Sequence, residues 1–160
     1  MLHRFRQFTN AGRLPTPRDF ALARQWLEPP LFELFAAQHP RDAVHTAATA
    51  RWLLERGYDD PHLLQAAFLH DIGKGEQRRF DRTISVIAQA SHLEARLASA
   101  SSRFPVRRAI ERSRTHSESG ARTLEAARAS ERVIDLTRRH HGPPGTDPVL
   151  ALLQEADTAT

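Results

Sequence analysis

Asp60-Pro61-His62-Leu63-Leu64-Gln65-Ala66-Ala67-Phe68-Leu69-His70-Asp71-Ile72-Gly73-Lys74 is the stretch on which the fold turns. Asp60 is a ready N-cap and Pro61 suits the first helical position, so a helix is predicted over 60–72. Leu63, Leu64, Ala66, Ala67, Phe68, Leu69 and Ile72 leave it almost no polar face, and a helix apolar all round is buried. Yet it ends in His70-Asp71. An imidazole and a carboxylate are costly to bury without partners. A salt-bridged or hydrogen-bonded pair would satisfy them, and so would a metal. Gly73 and Gly75 then break the chain.

Helical periodicity spreads outward from this segment in both directions, and no alternating run is long enough to make a strand. Upstream, helices are predicted over 17–28, ended by Pro29-Pro30, over 30–38, stopped before Pro40, and over 40–56, closed by Gly57. Downstream they are predicted over 81–99, 105–114, 115–129, 131–141 after the N-cap Ser130, and 148–157 after the N-cap Asp147. The result is an all-α domain of about seven to nine helices.

The inward polar group of the central helix has counterparts elsewhere. His45 shares a face with Ala48 and Trp52, His140 with Val133 and Leu136, and Asp157 with Leu150 and Leu153. His116 lies on the face of Gly120 and Leu124, and Gly120 would let another helix approach closely. Each alone reads as a satisfied core histidine or a helix-end carboxylate. Together they are most easily satisfied by converging on cations, and imidazole with carboxylate suits zinc, iron, manganese, cobalt or nickel. His3, His39, His62 and His92 have no such context.

The chain has 160 residues and no cysteine, so disulfides and thiolate metal sites are excluded. No run of 18 apolar residues suggests a transmembrane helix, and the Arg-rich start lacks the apolar core of a secretory signal, so a cytoplasmic location is expected. The formal net charge of +4 suits solubility as well as it suits an anionic ligand. Of 23 basic residues only Lys74 is a lysine, and it directly follows His70-Asp71-Ile72-Gly73. A nucleic-acid-binding reading needs stacking aromatics along a basic stripe, and the 11 aromatics fall mostly on apolar faces. Glu76, Glu118 and Asp135 read as solvated-face carboxylates. The Arg78-Arg79-Arg82 and Arg107-Arg108-Arg112-Arg114 clusters read the same way, or as walls of a nucleotide cleft.

The order His45, His70-Asp71 after an apolar helix, then a distant Asp157 resembles the HD phosphohydrolase superfamily, and Ala66–Lys74 is similar to its central signature. His116-Ser117-Glu118-Ser119-Gly120-Ala121 and Arg138-Arg139-His140-His141-Gly142 resemble the later helices of dinuclear members. Such members include the HD-GYP cyclic dinucleotide phosphodiesterases and the HD-type diadenosine tetraphosphate hydrolases. The Gly-Tyr-Pro motif is missing, with Gly142-Pro143-Pro144-Gly145 near its place, which argues against a cyclic-di-GMP enzyme. A metal-ligand Glu ahead of His45 is also missing.

The resemblance covers roughly residues 38 to 158. Residues 1–37 match nothing in that family; amphipathic through Phe20, Leu22, Trp26 and Leu27, they are expected to form a helical extension packed on the core or on a second subunit of a homodimer. The resemblance implies an HD domain over 38–160. It also implies two divalent metal ions. His45, His70, Asp71 and Asp157 would hold the first, and Asp71 would bridge to a second held by His116 with His140, His141 or both. Adjacent helical residues point about 100° apart, so two histidines on one ion require the helix to end there, as Gly142 permits. The implied activity is hydrolysis of a nucleotide or related phosphate ester, mono- or diester, by a metal-activated hydroxide. Asp71 and Lys74 would be catalytic. Lys74 would also bind substrate, and so would Arg41, one turn before His45, which has Asp42 and solvent as rival partners. The alternative is an HD scaffold that senses a nucleotide without turning it over. No membrane partner is implied.

Overall fold

The structure is a computed structural model that describes residues 14–74 and 105–160, with side chains in the second stretch from Thr115 on. The described residues form seven α-helices, one short 3-10 helix and no strand: α1 Pro17–Trp26, α2 Pro29–Ala36, α3 Pro40–Leu54, α4 Pro61–Leu69, the 3-10 turn Ile72–Lys74, α5 Pro105–Ala126, α6 Glu131–Arg139 and α7 Pro148–Ala159. None of these helices is long and apolar enough to cross a membrane. The helix expected over 81–99 lies outside the described residues, as do His3, His92, Glu76 and Arg78, Arg79 and Arg82. The side chains of Arg107, Arg108, Arg112 and Arg114 are also outside them.

Proline and caps set the starts. Proline stands in the first turn of α1, α2, α3, α4 and α7, where its missing N–H costs nothing. Thr16 and Asp19 cap α1 reciprocally, Asp60 accepts from Leu63 N, Ser130 from Val133 N, and Asp147 from Val149 N and Leu150 N. Each side-chain oxygen satisfies an N–H that the helix itself leaves orphaned.

α4 is buried because other helices surround it: α1, α2, α3, α6 and α7 all pack against it. Leu64, Ala66, Ala67, Phe68 and Leu69 are fully buried. Phe68 meets Phe35 edge-on at 5.4 Å, and Phe20 meets Phe35 at 5.8 Å. The N-terminal helices therefore cover this core through aromatic contacts, each adding about 0.5–1.5 kcal/mol beyond the area it buries.

Three local expectations are corrected. First, the helices expected over 105–114 and 115–129 are one continuous helix, α5, ending at Ala126, since no Gly or Pro stands at the expected break and Gly120 is carried within the helix. It ends where Arg128 adopts a left-handed φ of 60° and Ala129 N bonds back to Leu124 O, a cap usually given to glycine. Second, the helix expected to 72 stops at Leu69, and Gly73 continues the chain in the 3-10 turn rather than breaking it. Third, the buried stripe of α3 runs through Ala43, Thr46, Ala47, Ala50 and Leu53. His45 stands half-buried at the border of that stripe, and so do Ala48 and Trp52.

Gly73 has a steric task. A Cβ built on it would lie 1.9 Å from His116 O and 2.5 Å from Gly120 N, inside the backbone of α5. Across the contact, a Cβ on Gly120 would meet Ile72 Cγ2 at 3.1 Å. Two glycines thus let the turn after α4 press against α5, which brings Asp71 beside His116.

Candidate metal centre

Five elements deliver the polar groups to one place. His70 is the C-cap of α4 and His140 the C-cap of α6. Each ring turns back on its own helix, Nδ1 donating to the carbonyl three residues earlier: His70 to Ala67 O at 3.0 Å and His140 to Thr137 O at 2.6 Å. A carbonyl only accepts, so both Nδ1 atoms carry a proton. In the neutral ring Nε2 is then a lone pair, and the backbone has set the tautomer a metal ligand needs.

Those Nε2 atoms face Asp71, which is 2 % exposed. Its two oxygens look in different directions. Oδ1 lies 3.5 Å from His116 Nε2 and 3.7 Å from His140 Nε2. Oδ2 lies 3.7 Å from His70 Nε2 and 3.9 Å from His45 Nε2, and the Lys74 ammonium also contacts it. Asp157 Oδ1 reaches His45 Nε2 at 2.8 Å and His70 Nε2 at 3.3 Å. On the other side His116 Nε2 lies 3.3 Å from His140 Nε2 and 3.0 Å from His141 Nε2. Two donor groups result, His45–His70–Asp157 and Asp71–His116–His140–His141, with the ligand atoms of each within 4.8 Å of one another.

This donor set fits divalent cations. Ligands about 2.1 Å from a shared ion stand roughly 3–3.5 Å apart, close to the spacings seen here. Asp71 Oδ1 is buried without a hydrogen-bond partner, a state that costs about 1–3 kcal/mol unless something positive satisfies it. The electrostatics agree. Burial alone would lower the His70 pKa, but Asp71 and Asp157 outweigh it and raise it to about 9. With Nδ1 donating to Ala67, the contact to Asp157 then uses a second ring proton, so the carboxylates draw positive charge to that spot. A cation there would displace the proton. Burial works to raise Asp71, but the Lys74 ammonium and His70 hold it well below the usual carboxylate range. Burial likewise opposes ionisation of Asp157, and His70 and the His45 hydrogen bond hold it low. Burial pushes His140 down. Burial, then His140 and His116, push His141 down to about 3. His141 keeps one face in solvent, which tempers that depression.

A family model for the HD domain matches residues 37–159. The chain belongs to the HD domain family, within the HD-domain metal-dependent phosphohydrolase superfamily. No curated protein and no solved structure matches it. In this HD domain α6 ends at Arg139 and His140-His141 sits in the turn beyond it, so both rings reach His116. Of the residues singled out in the sequence, His45, His70, Asp71, Lys74, His116, His140, His141 and Asp157 are gathered at the centre. Arg41 stands a turn away in the first turn of α3. His39 is the N-cap of α3, and His62 is exposed on α4. Glu118 pairs with Arg138 and Arg122, and Asp135 with Arg132 and Arg139, on the surface.

Sequence reasoning missed Gln154. Its Nε2 donates to His140 O at 3.0 Å and Gly142 O at 2.7 Å. One amide thereby satisfies two carbonyls of the turn carrying His140 and His141, and ties that turn to the helix bearing Asp157. The spacing Leu150, Gln154, Asp157 was its signal: it puts an amide on the inward face.

Proposed function

We propose that this HD domain is a metal-dependent phosphohydrolase that cleaves a nucleotide or related phosphate ester, with two divalent cations in the two donor groups. The observation that carries the reading is Asp71, a buried carboxylate with one oxygen turned to each group. His45, His70 and Asp157 would hold one ion, and His116, His140 and His141 the other, with Asp71 shared. Such ions supply Lewis acidity toward the phosphoryl oxygens and lower the pKa of a water to near neutrality.

The chain's own groups do the rest. The Nδ1–H bonds to Ala67 O and Thr137 O hold the His70 and His140 rings with Nε2 aimed inward. Gln154 holds the His140–Gly142 turn. Lys74, three residues after Asp71 and 24 % exposed along its side chain, is free to pivot from the carboxylate toward a phosphate oxygen, where its ammonium would neutralise charge on the leaving group.

Elemental analysis of the purified protein tests this, with turnover of p-nitrophenyl phosphate and bis-p-nitrophenyl phosphate followed alongside. About two metal atoms per chain are expected, falling toward one in His116→Ala with loss of turnover. Protein that takes up no manganese, iron or zinc on reconstitution and hydrolyses neither ester would end the proposal.

A further inference from the structure

The two donor groups that share Asp71 stand in different states, and Lys74 makes the difference. Its ammonium sits on Asp71 Oδ2, the oxygen turned to His45 and His70. Oδ1, turned to His116 and His140, is buried with no hydrogen-bond partner among the described residues. One half of the bridging carboxylate is thus already neutralised by a cation of the chain itself, and the other half is not.

The histidines repeat the contrast. On the Asp157 side the rings are hydrogen-bonded: Asp157 Oδ1 lies 2.8 Å from His45 Nε2 and 3.3 Å from His70 Nε2. A metal ion arriving there must break these bonds and displace the ammonium. On the other side three Nε2 atoms meet one another, His116 standing 3.3 Å from His140 and 3.0 Å from His141. His140 gives its ring proton to Thr137 O. In the neutral rings, therefore, one proton serves both contacts or one contact sets lone pair against lone pair. An ion arriving there relieves both Oδ1 and the crowded lone pairs. Its donors are three nitrogens and one oxygen, a set that suits a borderline cation such as Zn2+. His116 and His140 are also sealed from water, whereas His45, Asp157 and Lys74 keep part of their side chains in solvent. Charge alone argues the other way, since two carboxylates serve the His45–His70 side and one serves His116–His141. The Lys74 ammonium offsets that extra charge.

We infer that Lys74 is a place-holding cation that makes the two metal sites unequal. The His116–His140–His141 site fills first and keeps its ion, and the His45–His70–Asp157 site fills second and exchanges. The inference rests on the two-cation phosphohydrolase reading above. The second ion, in taking Asp71 Oδ2, turns the ammonium off the carboxylate, so Lys74 becomes available to a phosphate only once both ions are in place. The singly loaded protein is inactive, and supply of the second metal switches it on.

Equilibrium dialysis of the metal-free full chain against chelator-buffered Zn2+, with bound metal counted by elemental analysis, tests the order. The parent should take up two ions in two steps at least about tenfold apart in affinity. His116→Ala should lose the tighter step and His45→Ala the weaker one. Lys74→Met and Lys74→Gln, which remove the charge and keep most of the length, should draw the two steps together by about tenfold or reverse them. Lys74→Arg, which keeps the charge, should keep the parent's order. Turnover of p-nitrophenyl phosphate by the parent should rise with the second step. Two equal steps, a tighter step unmoved by His116→Ala, steps that stay as far apart in both neutral variants, or turnover that tracks the first step overturns the inference and leaves the two-cation reading standing. Uptake of no Zn2+, or no turnover at full loading, sinks the reading beneath it as well.

Discussion

Replacing Gly73 by alanine should do more damage than any other single-methyl change in the described residues. The new Cβ would stand 1.9 Å from His116 O, 2.5 Å from Gly120 N and 2.8 Å from His116 C. All three are backbone atoms of a long helix and cannot rotate aside. To reach even 3.0 Å from His116 O, the turn must withdraw by about 1.1 Å. Overpacking of this kind costs roughly 1–3 kcal/mol, and the rigid neighbour puts it at the upper end. For a chain of this size about 3 kcal/mol lowers Tm by roughly 6–12 °C. Withdrawal also carries Asp71 away from His116, opening a gap that is now 3.5 Å, so the metal count should fall along with stability. Gly120→Ala is the control. Its Cβ meets Ile72 Cγ2, a side-chain methyl that can shift, at 3.1 Å, and Gly73 N at 3.3 Å, so the loss should be about 1 kcal/mol. Thermal unfolding in chelator and elemental analysis after reconstitution read the two effects separately. A Gly73→Ala protein no less stable than Gly120→Ala, with full metal content, would refute the steric argument.

Three further outcomes are expected. Gln154→Leu strands the carbonyls of His140 and Gly142, so urea unfolding should show a loss of about 2–4 kcal/mol, and a metal titration should show weaker uptake at the His140–His141 side. Metal-free protein should lose stability on both sides of neutrality. His140 and His141 bind protons less well folded than unfolded, so stability falls as pH drops below the ordinary histidine value of 6.5 toward 3. His70 has the opposite sign: its contribution is full below 6.5 and fades as pH rises through about 9. A Tm profile that stays flat from pH 5 to 9.5, or a His70→Gln protein that keeps the alkaline limb, would contradict this assignment. His62→Ala, on the exposed side of α4, should change neither metal content nor stability by more than about 0.5 kcal/mol.

Secondary structure and the polar groups of the centre were legible in the residues because both rest on local rules. Proline at first turns, Asp60, Ser130 and Asp147 at N-caps, and a 3.6-residue apolar period are visible within a dozen positions. A histidine or carboxylate on an inward face is conspicuous because burial without a partner is costly, which is how His116, His140 and Asp157 drew notice. Those rules say which groups turn inward, not whom they meet. Only the tertiary structure decided that the two oxygens of Asp71 face different histidine groups, that His45 sits at the border of its helix's buried stripe, and that Gly73 is required by the backbone of His116 and Gly120, more than forty residues away. The same holds for Gln154, whose partners lie across a loop. Periodicity is a property of neighbours along the chain, whereas a site is a set of distances between segments that share no local rule, and packing around α4 sets those distances.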